Sequence, residues 1–223
     1  MSKYDYVKIR KYFYQTTKPL NGAVIITPIR SLLDKVRNSK KYKVLEESKG
    51  WWSRITFIEL HTNKVFDILY FSPGTFVIDC LRVINPKETS NVVILGLCGS
   101  LTENYKTGDV FVPDQYMLNY SPVKEIFQRK NKVNQFGEII ATVPFMTIDR
   151  KYYIEMVNNG VKAVDMESYF LFDWGRINNI ETEANLVVSD HPLLKPFFDS
   201  NEETYSKIDK TLTHVIEGIT KTI

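Results

Sequence analysis

Cysteine is nearly missing from this chain: two in 223 residues, Cys80 and Cys98, each inside an apolar stretch. A disulfide scaffold or a thiolate zinc site needs more, so both are expected to be buried free thiols in a reducing compartment. Histidine offers little else for a metal, because His61, His191 and His214 are scattered and show no ligand spacing. Charge of one sign is also lacking. The 29 basic and 26 acidic residues leave +3, too even a balance to argue for a nucleic-acid partner. The densest basic run, Arg37 to Lys43, reads as a solvated helix end or loop. No apolar run approaches the roughly 20 residues of a membrane span. Met1 to Lys18 is charged and aromatic, without the apolar centre of a secretory leader. Neither G-x-G-x-x-G, nor a P-loop lysine, nor G-x-S-x-G occurs, which argues against dinucleotide, triphosphate and serine-elbow chemistry. The expectation is a cytoplasmic protein with no metal, organic cofactor, nucleic-acid or membrane partner.

What is present is core-forming material, 43% hydrophobic and 13% aromatic. The length suits one large domain over 21–223, preceded by an arm or short helix over 1–20. Apolar runs bounded by turn residues predict strands at 22–27, 91–97, 108–113, 139–145, 161–165 and 184–188. Residues 54–60 and 64–71 read as a β-hairpin around His61, Thr62 and Asn63. Helical spacing falls at 29–38, 75–84, 149–159 and 166–177. Ser200 and Glu203 suggest a capping box for a last helix with Ile208, Leu212, Val215 and Ile219 on one stripe. Residues 114–138 read as irregular.

Strands alternating with helices predict an α/β protein, a three-layer sandwich with a mixed, largely parallel central sheet. Ligands in that class bind at the carboxyl ends of strands. Polar or glycine clusters stand there at Thr27 to Arg30, Gly96 to Gly99, Phe145 to Asp149, Asp165 to Glu167 and Ser189 to His191. Each has a plain reading too. Gly96 and Gly99 let backbone approach a ligand or let the chain turn tightly. Glu167 clamps sugar hydroxyls or merely suits a helix N-terminus. Asp190 is a general acid with a raised pKa, or a turn residue.

In this order the segments resemble the nucleoside phosphorylase and nucleosidase superfamily. Leu95 to Leu101 and Thr107 to Pro113 are similar to its glycine loop and the strand that follows. Gly160 to Ser168 is similar to its ribose-binding segment, and Val187 to His191 to the strand carrying its catalytic aspartate. Ile26 to Arg30 resembles the N-terminal loop of the phosphorylase branch, and some details resemble short AMP nucleosidases. The likeness spans about residues 22 to 220. It implies that Asp190 protonates purine N7 and that Glu167 holds the ribose hydroxyls, with Met166 against the sugar. Asp165 and Ser189 belong to the same segments. Phe145 and Met146 would lie near the base, and Gly96 and Gly99 would leave room for the ribose. A homo-oligomer, dimer or larger, follows from the same likeness.

The resemblance also implies where phosphate would sit. Phosphorylases of the family place an arginine two residues before the first loop glycine; here that residue is Ile94, and Leu97 replaces a serine or threonine. Arg30 alone would grip phosphate, or else a nucleotide's 5′-phosphate, or stand as a surface residue. Cleavage of a purine nucleoside or nucleoside monophosphate by water is therefore favoured over a phosphate-dependent purine nucleoside phosphorylase. A catalytically silent nucleoside-binding protein is the alternative of another class, since no glutamate between Gly22 and Leu33 is available to activate water.

Overall fold

The structure, a computed structural model, describes residues 5–118, 127–128, 137–144 and 148–222. In chain order the elements are α1 (Tyr6–Tyr14), β1 (Ala23–Thr27), α2 (Arg30–Asn38), β2 (Tyr42–Lys49), β3 (Ser53–Glu59), β4 (Val65–Tyr70), α3 (Phe76–Arg82) and β5 (Asn91–Ser100). There follow β6 (Val110–Phe111), β7 (Gln115–Leu118), β8 (Phe127–Gln128), β9 (Ile139–Thr142), α4 (Arg150–Asn158), β10 (Val161–Asp165), α5 (Ser168–Asn178), β11 (Glu181–Asp190) and α6 (Glu202–Thr222). Phe145 and Met146 lie outside the described residues.

One mixed sheet takes all the strands, in the order β2-β3-β4-β1-β5-β10-β9-β7-β8 with β11 and β6 branching from β5. β4, β1, β5 and β11 are parallel neighbours, as are β10, β9 and β7. Side chains alternate across the pleat. In β1, Val24 and Ile26 join one core with Val77 and Leu81 of α3 and Leu171 of α5. Ile25 faces the other way, toward Leu32 and Val36 of α2 and Ile208, Leu212 and Ile219 of α6. β5 divides likewise, with Val92 and Ile94 on one side and Val93 and Leu95 on the other. Helices on both faces make the expected α/β three-layer sandwich.

Several expectations are corrected. The glycines of 96–99 mark no turn: β5 runs straight through them to Ser100, because β11 pairs along its whole length. Lys40 to Lys43 leads into edge strand β2, whose exposed face is rich in charge, so its apolar signal is weak. The stretch read as irregular contains β7 and β8. Asn201, not Ser200, caps α6, its Oδ1 accepting the Thr204 N–H at 3.0 Å. The N-terminal arm is helix α1, capped by Asp5. It is pinned by buried Arg10, which donates to the Lys18 carbonyl and Glu88. Phe13 stacks on Trp52 at 4.4 Å and Tyr14 is buried, so these two aromatics pack on their own domain.

Candidate active site

The strands end on a cavity of ≈ 360 Å³. Four connections supply its walls: Pro28 and Ile29 after β1, Pro73 after β4, Asp165 to Glu167 after β10, and Ser189 to Phe197 at and beyond the end of β11. Leu97, Cys98 and Gly99 of β5 form the floor, with Val143, Ile148 and Tyr153 on the side of β9 and α4. Three of its carboxylates come from two separate strand ends, and among the described lining residues there is no lysine or arginine.

Asp190 reaches this cavity through a register shift. β11 and β5 pair residue for residue to Val188 and Cys98, and then Asp190 pairs with Gly99. The extra residue is Ser189, and a bulge of this kind re-aims the side chain beside it. Ser189 Oγ donates to Asp190 Oδ1 at 2.6 Å and lies 3.2 Å from the Cys98 carbonyl. The Phe197 N–H donates to Asp190 Oδ2 at 3.1 Å. Burial pushes the Asp190 pKa up, against the pull of those donors. A carboxyl so placed tends to hold a proton that it can give to a ligand.

Glu167 and Asp165 sit at the junction of β10 and α5, and they do different jobs. Asp165 accepts from Thr142 Oγ1 at 2.7 Å, from the Ser168 N–H at 2.7 Å and from Ser168 Oγ. Its oxygens are committed to the start of α5, so it lines the cavity as a support. Glu167 has no such set. The Gly74 N–H donates to Oε1 at 2.7 Å and the Met166 N–H lies 3.3 Å from Oε2, leaving each oxygen further acceptor capacity. At 5% exposure, burial and then the charge of Asp165 push its pKa up to about 8. Met166 lines the cavity between the two acids.

Other residues singled out in the sequence fall differently. Gly99 lines the cavity, but its bareness serves Pro192, whose Cγ would lie 2.6 Å from an added Cβ. Gly96 does not line it. A Cβ there would meet Leu186 at 3.2 Å, so this glycine admits a neighbouring strand's side chain rather than a sugar. Arg30 is exposed at the start of α2 and is not among the lining residues, though Pro28 and Ile29 are. Ile94 is fully buried in β5, and Leu97 presents an apolar side chain to the floor.

Two contributors escaped the sequence reading. Gly74, with φ +84°, turns its N–H onto Glu167 across 93 residues of chain. Tyr153, on α4, brings a buried phenol to the cavity. Phe197 lies in the segment 192–200, which the sequence offers as a contributor to the site without a readable pattern. No three His, Cys, Asp or Glu side chains gather as a metal site among the described residues, and no helix there is long and apolar enough to cross a membrane.

The architecture matches known structures. 5′-Methylthioadenosine/S-adenosylhomocysteine nucleosidase from Helicobacter pylori, solved with butyl-thio-DADMe-Immucillin-A, superposes with a TM-score of 0.68 at 13% identity, covering 92% of this chain and 100% of that one. Futalosine hydrolase of Helicobacter pylori gives 0.67 at 14%, covering 92% and 99%. Purine nucleoside phosphorylase from Toxoplasma gondii, in complex with immucillin-H, gives 0.67 at 16%, covering 87% and 88%. No family model and no curated protein matches the chain. At these identities the likeness establishes the fold, and the chemistry has to be argued from the site.

Proposed function

We propose that this chain, built on the nucleoside phosphorylase and nucleosidase fold, hydrolyses the N-glycosidic bond of a purine nucleoside. One observation carries the reading: Asp190 and Glu167 line a single cavity that holds no lysine or arginine among its described residues. Breaking C1′–N9 leaves electrons on the base and positive charge on the sugar. Asp190, whose pKa burial raises, donates a proton to N7 of the leaving base. Glu167 accepts hydrogen bonds from the ribose 2′- and 3′-hydroxyls on the capacity that Gly74 and Met166 leave free. As positive charge grows at the sugar, the ionised form of Glu167 is favoured and stabilises it. Water bonds to C1′, and its proton restores the acid. The products are ribose and free base, and no cofactor takes part.

The same lining supports water over phosphate, and a nucleoside over its monophosphate. Binding a phosphate dianion beside Asp165, Glu167 and Asp190, with no lysine or arginine among the described lining residues, forgoes the charge-assisted hydrogen bonds that hold such an anion. The assay is base release from inosine, adenosine and AMP, each with and without phosphate. Release from the nucleosides without phosphate, and weaker release from AMP, is the expected pattern. A strict need for phosphate makes the protein a phosphorylase. Thermal stabilisation by these nucleosides without any turnover makes it a silent binder.

A further inference from the structure

A second group of acids takes no part in that reaction. β7 and β9 run parallel with Gln115 opposite Ile139, which sets Asp114 and Glu138, one residue earlier on each chain, side by side. The Asp114 N–H donates to the Glu138 carbonyl at 3.2 Å. Asp114 is 1% exposed, yet neither of its carboxylate oxygens has a hydrogen-bond partner, and Oε2 of Glu138 has none either. Like charges side by side on neighbouring strands repel. Withdrawing an ionised carboxylate from water without a partner is costly enough that folded proteins pair it or bind a metal.

Tyr105 closes the group. Its ring stands edge-on to Phe111 at 5.0 Å, and its hydroxyl is hydrogen-bonded to the Glu138 carboxyl and feels the charge of Asp114. Burial first, then Glu138 and Asp114, push the phenol up to about 12. Two carboxyl groups on neighbouring strands and a phenol thus share one region, and neither acid has an ion pair among the described residues.

We propose that Asp114, Glu138 and Tyr105 bind a hard divalent cation of the calcium or magnesium kind, through the two carboxylates and the phenol oxygen. An all-oxygen donor set selects such ions over zinc or copper, which favour nitrogen and sulfur. Two positive charges neutralise two carboxylates. The near-complete burial of Asp114 suits a small ion and leaves no approach for a partner's lysine. Because no three His, Cys, Asp or Glu side chains gather among the described residues, backbone oxygen and water complete the shell. The ion would clamp the beginnings of β7 and β9 together, the strands whose far ends lead to Thr142 and the cavity wall.

The test uses full-length protein stripped with a chelator, then melted with Ca²⁺, Mg²⁺ or K⁺ in separate arms. Either divalent ion, at about a hundredfold excess over its Kd, is expected to raise Tm by about 5–10 °C. Asp114→Asn is expected to abolish that rise. Tb³⁺ emission on exciting tyrosine is expected to appear with the native protein and to fall in Tyr105→Phe. The proposal is overturned if no divalent ion raises Tm, which is the result a proton shared between the acids would give. It is equally overturned if Asp114→Asn responds like the native chain, or if K⁺ alone stabilises it. Should Asp114→Asn fail to fold, Glu138→Gln serves in the same comparison.

Discussion

Asp67 and Asp190 are both aspartates at apolar strands of one sheet, and their surroundings are built on opposite plans. Asp67 is fully buried and surrounded by donors: the Asn21 N–H at 2.7 Å, Asn21 Nδ2 at 3.0 Å, Arg54 Nε at 2.9 Å and Thr56 Oγ1 at 2.6 Å. Arg54 spends its remaining nitrogens on the carbonyls of Lys18 and Pro19. That network is closed, with its charge balanced within the fold. Asp190 has two donors, no lysine or arginine among the described lining residues, and an open cavity in front. An acid whose needs are met holds structure together. An acid left short of partners at a cavity is free to do chemistry, and its raised pKa is the mark of that shortage.

The sharpest way to break this contrast is to neutralise each acid's role in turn. Asp190→Asn keeps the shape and removes the proton, so nucleoside cleavage is expected to fall by about 10²–10⁴-fold while Tm hardly moves. Unchanged turnover would sink the assignment of Asp190 as the acid. Arg54→Ala is expected to do the reverse. It strands Asp67 unpaired, at a cost of about 3–5 kcal/mol, read as a Tm drop of roughly 2–4 °C for each kcal/mol. Its folded fraction should keep near-native kcat/KM. If Arg54→Ala melts like the native chain, the closed network contributes nothing, and the comparison loses one of its sides.

Next in size is a pH effect that only the cavity side should show. Folded Glu167 has its pKa raised from 4.5 to about 8, by burial and then by Asp165. Between those values the folded chain keeps a proton that the unfolded chain has released. The stabilisation this gives is complete below pH 4.5 and is lost as pH rises toward 8. Melting curves across that window are expected to show Tm falling as stability drops by on the order of a few kcal/mol. Glu167→Gln should flatten the curve, and an equally steep fall in that variant would clear Glu167 of the effect.

How much of this was legible in the sequence depends on whether the signal was local. The sandwich was, because continuous apolar runs such as 23–27 and 91–95 mark strands buried on both faces. The positions of Asp190 and Glu167 followed from strand ends and from the family resemblance. The packing roles of Gly96 and Gly99 were not legible, because a glycine's use depends on what lies opposite. Leu186 and Pro192 stand across from the two glycines, ninety or more residues further along the chain. Nor could the residues beside Asp67 reveal its partners, since Asn21 and Arg54 come from other elements. The edge strand β2 was hidden by its lysines and glutamates, which keep an exposed edge from pairing and erase the apolar alternation.

The smallest expected effect tests how Glu167 is aimed into the cavity. Gly74 sits at φ +84°, where an L-residue costs about 1–2 kcal/mol. Its N–H donates to Glu167 Oε1 at 2.7 Å, and an added methyl would lie 3.2 Å from Met166 Cε. Gly74→Ala therefore both strains the loop and crowds the residue beside the acid it positions. If each kilocalorie reaches the bound transition state, kcat/KM falls by roughly tenfold for 1.4 kcal/mol. Met166→Ala in the same chain should recover part of the loss, because it removes the crowding and leaves the strain. A Gly74→Ala enzyme with native kcat/KM would mean that Glu167 holds its place without the loop. The contrast between closed and open acids would then rest on Asp190 alone.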